Sequence, residues 1–145
     1  MKKWIVLFAL LIMLVFATSA MAADSWKTAN QITIAWDAVT TLGDGSALPA
    51  GNVIKYDVYF RLDGHTDAGT KATPVPISVT SSIVTFSTEG KYRLGVATLR
   101  YDSLGALLAT SETAWSDVAA SCQGGATFGV VFYLAPAKAG GLRVP

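Results

Sequence analysis

Lys91-Tyr92-Arg93-Leu94-Gly95-Val96-Ala97-Thr98-Leu99-Arg100-Tyr101 is the longest run of the chain compatible with one extended strand. Tyr92, Leu94, Val96 and Thr98 lie two residues apart. They therefore share one face, because successive side chains of a β-strand point to opposite sides. The run closes on Asp102-Ser103-Leu104-Gly105, whose residue types suit a tight turn. Upstream, Ile32, Ile34 and Trp36 alternate with Gln31, Thr33 and Ala35, and Ile54, Tyr56, Val58 and Phe60 alternate with Lys55, Asp57, Tyr59 and Arg61. Beyond the N-terminal segment no stretch carries helical spacing, since Gly, Pro, Asp and Ser interrupt every few residues. The class expected is all-β.

The other strand candidates are shorter. Pro74 and Pro76 flank Val75 at the start of a stretch ending at Val79, which reads as an edge strand because proline cannot donate to an interior ladder. Ile83 to Phe86, Trp115 to Ala120 and Phe128 to Leu134 are further candidates, and no strand pattern is visible before Gln31. Short strands at this spacing imply two packed sheets or a barrel. Trp36, Tyr56, Val58, Tyr92, Leu94 and Val96 are the expected core, with Trp36 at its centre.

The N-terminus reads as an export signal. Lys2 and Lys3 precede the apolar run Ile5 to Phe16, and Ala20-Met21-Ala22 has the small-x-small form of a cleavage site. A signal anchor is the alternative, but the run breaks at Thr18 and Ser19, short of the roughly 20 apolar residues a membrane span needs. Residue 23 is alanine, where a lipoprotein would need cysteine. The expected division is a signal peptide over 1–22, a sandwich over 23–122, and an extension over 123–145 with one extra strand and a flexible tail. No membrane insertion is expected after cleavage, so the chain would be secreted, periplasmic or held at the cell surface.

Ordered along the chain, several phrases resemble the fibronectin type III family. Ile32-Thr33-Ile34-Ala35-Trp36-Asp37 resembles its strand B, Tyr56-Asp57-Val58-Tyr59 its strand C, and Tyr92-Arg93-Leu94-Gly95-Val96-Ala97-Thr98 its strand F. Gly105, Ser111 and Ala114-Trp115-Ser116 resemble the entry to strand G in bacterial members. The resemblance covers about residues 30 to 120. It implies an immunoglobulin-like β-sandwich in which the Tyr92 hydroxyl bonds to backbone just before its strand. Three features depart from the family: the missing strand A before Gln31, a long connection into strand G, and the tail. Within that tail, Pro136 to Val144 is itself similar to the linker and strand A that open such a domain.

Composition narrows the chemistry. Eleven Lys and Arg stand against ten Asp and Glu, scattered singly, without the basic stripe that tracks a phosphate backbone, so nucleic acid is not an expected partner. The single cysteine, Cys122, excludes an intrachain disulfide. The single histidine, His65, accompanies no Gly-x-Ser-x-Gly elbow, and neither a Cys122–His65 dyad nor a carboxylate pair is favoured by spacing. Asp63, His65 and Asp67, with Glu89 in a later connection, offer fewer oxygens than the six to eight a hard cation prefers. No enzyme activity, metal or cofactor is expected.

Recognition is expected instead where the connection Asp37 to Val53 meets the connection Asp102 to Ser111, because loops on a rigid sandwich commonly carry binding. Tyr101, Leu104, Leu107 and Leu108 would make an apolar patch there if exposed together. Alternatively, Leu107 and Leu108 begin a strand and one of them is core. Two functions follow. One is a binding or spacer module facing a protein or polysaccharide. The other is a structural subunit that self-associates by strand addition, with Gly141-Leu142-Arg143-Val144 as the added strand.

Overall fold

Every major element of the larger sheet is placed by the strand Gly90–Tyr101, here β6, in a computed structural model that describes residues 24–137. The expected signal peptide and the tail segment 138–145 lie outside the described residues. The chain runs β1 (Ser25–Thr28), β2 (Gln31–Ala35), β3 (Val53–Leu62), β4 (Thr70–Lys71), β5 (Ser81–Thr85), β6, β7 (Leu107–Thr110), β8 (Ala114–Trp115) and β9 (Phe128–Phe132). A seven-stranded sheet has the order β1-β9-β6-β3-β4, with β7 and β8 also on β6, and a two-stranded sheet pairs β2 with β5. The two sheets face each other in a sandwich-like arrangement. Ile32, Ile34, Val84 and Phe86 from the small sheet and its end pack against Val58, Tyr92, Leu94 and Val130 from the large one.

The alternation of Tyr92, Leu94 and Val96 puts them on the inner face of β6, opposite Leu62, Phe60 and Val58 of β3. Tyr56, Val58, Tyr92 and Leu94 are buried, whereas Trp36 and Val96 are only half-buried. Trp36 therefore does not occupy the centre. β2 ends one residue before it, and among the described residues the small sheet has no third strand to cover its far side. Its ring meets Tyr56 edge-on at 5.3 Å.

Three strand expectations change. Pro74 to Val79 contributes only an isolated bridge between Ile77 and Tyr56, since the prolines cannot extend a ladder. Trp115 to Ala120 is strand only over Ala114–Trp115, followed by two short 3-10 turns. Phe128–Phe132, expected in an extension after residue 122, lies inside the large sheet. β7, β8 and β9 meet successive parts of β6, and the ladder broken at Ser116 resumes when the Phe128 N–H donates to the Ser116 carbonyl at 3.0 Å. The stretch from Asp117 to Thr127 is an excursion from one interrupted strand.

The segment before Gln31 also becomes a strand, β1, parallel to β9. Its sequence does not alternate because tertiary contacts hold it in place. The Arg93 guanidinium stacks on Trp26 with its carbon 4.2 Å from the ring centre, donates to Asp24 at 2.7 Å and Asp63 at 2.6 Å, and reaches the Phe128 carbonyl at 3.1 Å. These bonds, with one from Thr127, hold the Asp24 carboxyl below its ordinary value, so acid would weaken this contact and neutral pH preserves it. Arg61 repeats the arrangement, 4.0 Å over Trp115 and 2.9 Å from Asp117. A side chain at Gly95 would come within 2.7 Å of the Trp115 ring, and one at Gly129 closer still to Trp26. Both faces of β6 are buried in consequence, with Arg93, Ala97 and Leu99 covered on the outer side.

The Tyr92 ring stacks on Phe86 at 4.5 Å, and its hydroxyl donates to the Thr88 carbonyl at 2.6 Å. Burial raises the Tyr92 pKa, so the phenol stays protonated as a donor. Tyr92→Phe keeps the ring and removes only this bond. A thermal melt should show a loss of about 1 kcal/mol, and an unchanged melt would show that the bond contributes nothing.

Candidate binding site

The turn after β6 is built on Asp102. Its carboxylate accepts from the backbone N–H of Leu104 at 2.9 Å and of Ala106 at 2.8 Å, while its own N–H donates to the Ala106 carbonyl at 2.9 Å. Satisfying these groups locally fixes the turn and leaves Leu104 at its tip, 92% exposed. β7 then returns along β6 with a register shift between Arg100 and Tyr101, so that Leu107 stands opposite Tyr101. Leu107 and Leu108 do begin a strand, yet neither is core, at 52% and 48% exposure.

Tyr101 also lies opposite Val53 on its other side. Val53, Tyr101 and Leu107 thus form one row across β3, β6 and β7, and the Lys55 ammonium sits 5.0 Å from the centre of the Tyr101 ring. The sequence reading missed Val53, because only the register shows which residue neighbours Tyr101. Leu104 sits at the turn and not in the row.

The connection from Trp36 to Asn52 is tied down independently. The Val39 N–H donates to the buried Tyr56 hydroxyl at 3.0 Å, and Thr41 bridges to Ala47 around a turn in which Asp44 accepts from the Ser46 N–H and hydroxyl. Gly51, with φ of +81°, abuts Ser103 of the other turn, where an added methyl would stand 3.3 Å from the serine Cβ. The two connections therefore touch, and the pole they form is anchored in the core.

Between them lies a cleft of about 570 Å³, lined by Thr41, Leu42, Leu48, Ile54, Arg100 and Thr110 among others. Arg100 belongs to the inner face of β6, opposite Ile54 and Ala109. Its Nε is buried without a hydrogen-bond partner among the described residues. Asp44 borders the same cleft, but Ser46 engages its carboxylate and holds its pKa below the ordinary value. The sequence reading passed over Arg100 because nothing in a strand pattern distinguishes a paired arginine from an unpaired one.

A second cleft, about 440 Å³, opens at the seam between β2 and the Asp117–Thr127 excursion, lined by Trp36, Cys122, Gln123 and Phe128. The Cys122 thiol approaches the Ser116 carbonyl at 3.5 Å, and burial, then the nearby Asp117 charge, push its pKa up, away from a reactive thiolate. His65 is exposed at the opposite pole, 3.5 Å from Asp67. Asp63 is bound by Arg93 and Glu89 accepts from the Leu134 N–H. Among the described residues no three His, Cys, Asp or Glu are arranged to hold a metal ion, and no helix is long and apolar enough to cross a membrane. Comparison with protein-family models, with curated proteins and with solved structures found no match.

Proposed function

We propose that this chain is an exported, non-enzymatic binding or spacer module, an immunoglobulin-like sandwich of the fibronectin type III kind that presents one pole to a protein or polysaccharide. The observation that carries the reading is the exposure of Leu104, Leu107 and Leu108 on a hairpin whose turn is pinned by the Asp102 carboxylate. Apolar side chains collected on a rigid support favour a partner that removes them from water. The Tyr92 bond to the backbone before β6 supports the family assignment, and the Lys2, Lys3 and Ala20-Met21-Ala22 pattern supports export. Expression in a secreting bacterial host should yield a mature N-terminus at Ala23. An intact Met1 on the exported chain would overturn cleavage.

Replacing Leu104, Leu107 and Leu108 together by serine tests the surface. The variant should remain within about 1 kcal/mol of the parent in a thermal melt, as for exposed positions. It should also lose co-sedimentation with whichever insoluble polysaccharide, cellulose, chitin or peptidoglycan, retains the parent chain. A core-sized loss of roughly 3 kcal/mol or more would make these residues structural, and unchanged sedimentation would move the site elsewhere.

A second reading, a structural subunit assembled by strand addition, is favoured by one observation. β1 pairs with β9 and not with β2, so β2 has β5 as its single partner and one open flank among the described residues. Open strand edges are templates for pairing, and the C-terminal Gly141-Leu142-Arg143-Val144 has a composition that suits a strand. Deleting residues 136–145 should then lower the melting temperature if the tail folds back, or lower the mass seen by light scattering if it reaches a neighbour. Identical melting and identical mass would dispose of this reading.

A further inference from the structure

Of the three arginines among the described residues, two have both an aromatic face and a carboxylate partner, although the Arg61 Nε is, like that of Arg100, buried without a hydrogen bond. Arg61 stacks on Trp115 and pairs with Asp117, and Arg93 stacks on Trp26 and pairs with Asp24 and Asp63. Arg100 has neither an aromatic face nor a carboxylate within ion-pair distance among those residues, yet its Nε is removed from solvent. Burying part of a guanidinium without an acceptor is unfavourable unless a partner arrives. We propose that Arg100 is the anchor of a carboxylate-binding site and that the occupant is an acidic peptide segment of a protein partner, a claim that rests on the pole being the binding surface.

The lining of the cleft selects this chemistry. Arg100 is its sole cation, so it can match a single negative charge and not the double charge of a phosphate group, which the Asp44 carboxylate at the border would repel the more strongly. No aromatic residue lines it, which leaves a pyranose ring without the stacking surface that sugars favour. Leu42, Leu48 and Ile54 offer an apolar wall to the methylenes of an aspartate or glutamate, and the Thr41, Thr98 and Thr110 hydroxyls can donate to its oxygens. A planar guanidinium facing a planar carboxylate gives two parallel charge-assisted bonds. β7, which forms one side of the cleft, pairs only with β6 among the described residues, so an extended peptide can lie along its other flank and set one acidic side chain inward.

The test is selection of random phage-displayed peptides on the purified chain, followed by affinity measurement with the selected peptides. Enrichment of Asp or Glu at one position is expected, with affinity falling roughly ten- to a hundredfold in Arg100→Gln and when that acidic residue is replaced by its amide. Arg100→Lys should retain an intermediate affinity, because the charge remains and the paired geometry is lost. A thermal melt of each variant separates lost binding from lost folding. Selected peptides lacking an acidic position, or bound equally by a folded Arg100→Gln variant, would overturn the proposal. So would Arg100-dependent binding of oligogalacturonate in place of peptides, since that would assign the carboxylate to an acidic sugar. The Leu104, Leu107, Leu108 triple-serine variant keeps the two claims distinct. Loss of binding there with none in Arg100→Gln leaves the apolar pole standing and removes the anchor, and the reverse removes the apolar patch and leaves the anchor.

Discussion

The Arg93 guanidinium is where the larger sheet is tied together. It lies on β6, stacks on Trp26 of β1, bonds to Asp24 just before β1, to Asp63 just after β3, and to the Phe128 carbonyl at the head of β9. A charge so deeply buried costs several kcal/mol to desolvate, and the paired carboxylates offset that cost. The net stabilisation of such a group can be small, while removal of one partner leaves an uncompensated charge. Its main effect is therefore placement. β1 is a short strand with one large apolar side chain, Trp26, and Arg93 joins it to β9, which also sends Val130 into the core.

Arg61 and Trp115 repeat the device one strand away, using Asp117 from the excursion between β8 and β9. Arg61 and Arg93 stand opposite each other in the β3–β6 ladder. The outer face of the sheet is thus covered by two arginine–tryptophan stacks that close over Gly95 and Gly129, where no side chain would fit. A β-sheet with one inner layer commonly leaves its other face to water. Here the outer face is occupied near the middle and at the β1–β9 side, and the exposed apolar residues gather at the Val53 end. The candidate site falls where this covering stops, and Arg100 is the one arginine without a stack among the described residues.

Much of the fold was legible in the sequence. Period-two alternation identified β2, β3 and β6 because each has one wet face or one long regular run, with Ile83 to Phe86 marking β5 as a short run, and Tyr56, Val58, Tyr92 and Leu94 follow from it. β1 was not legible, since Trp26 is its one large apolar residue and its position depends on contacts with Arg93, far away in sequence. Trp115 to Ala120 misled because a tryptophan preceding small apolar residues resembles a strand, whereas the chain leaves the ladder at Asp117 to reach Arg61. Trp36 was placed too deep because alternation shows which face a residue occupies and not whether a further strand covers it. At the pole, Tyr101, Leu104, Leu107 and Leu108 were found from composition. Val53 and Arg100 needed the register, which no local pattern contains.

Hydrogen–deuterium exchange on an Asp24→Ala variant addresses the Arg93 tie most directly, because it removes one carboxylate and leaves the core intact. Protection should fall for the β1–β9 ladder, in particular the Ala29 amide that donates to the Val131 carbonyl, while the amides of the β3–β6 ladder around Val58 and Leu94 stay as slow as in the parent. Equal protection of β1 and β9 in both proteins would contradict the account, since those strands would then be held by something other than the Arg93 clamp.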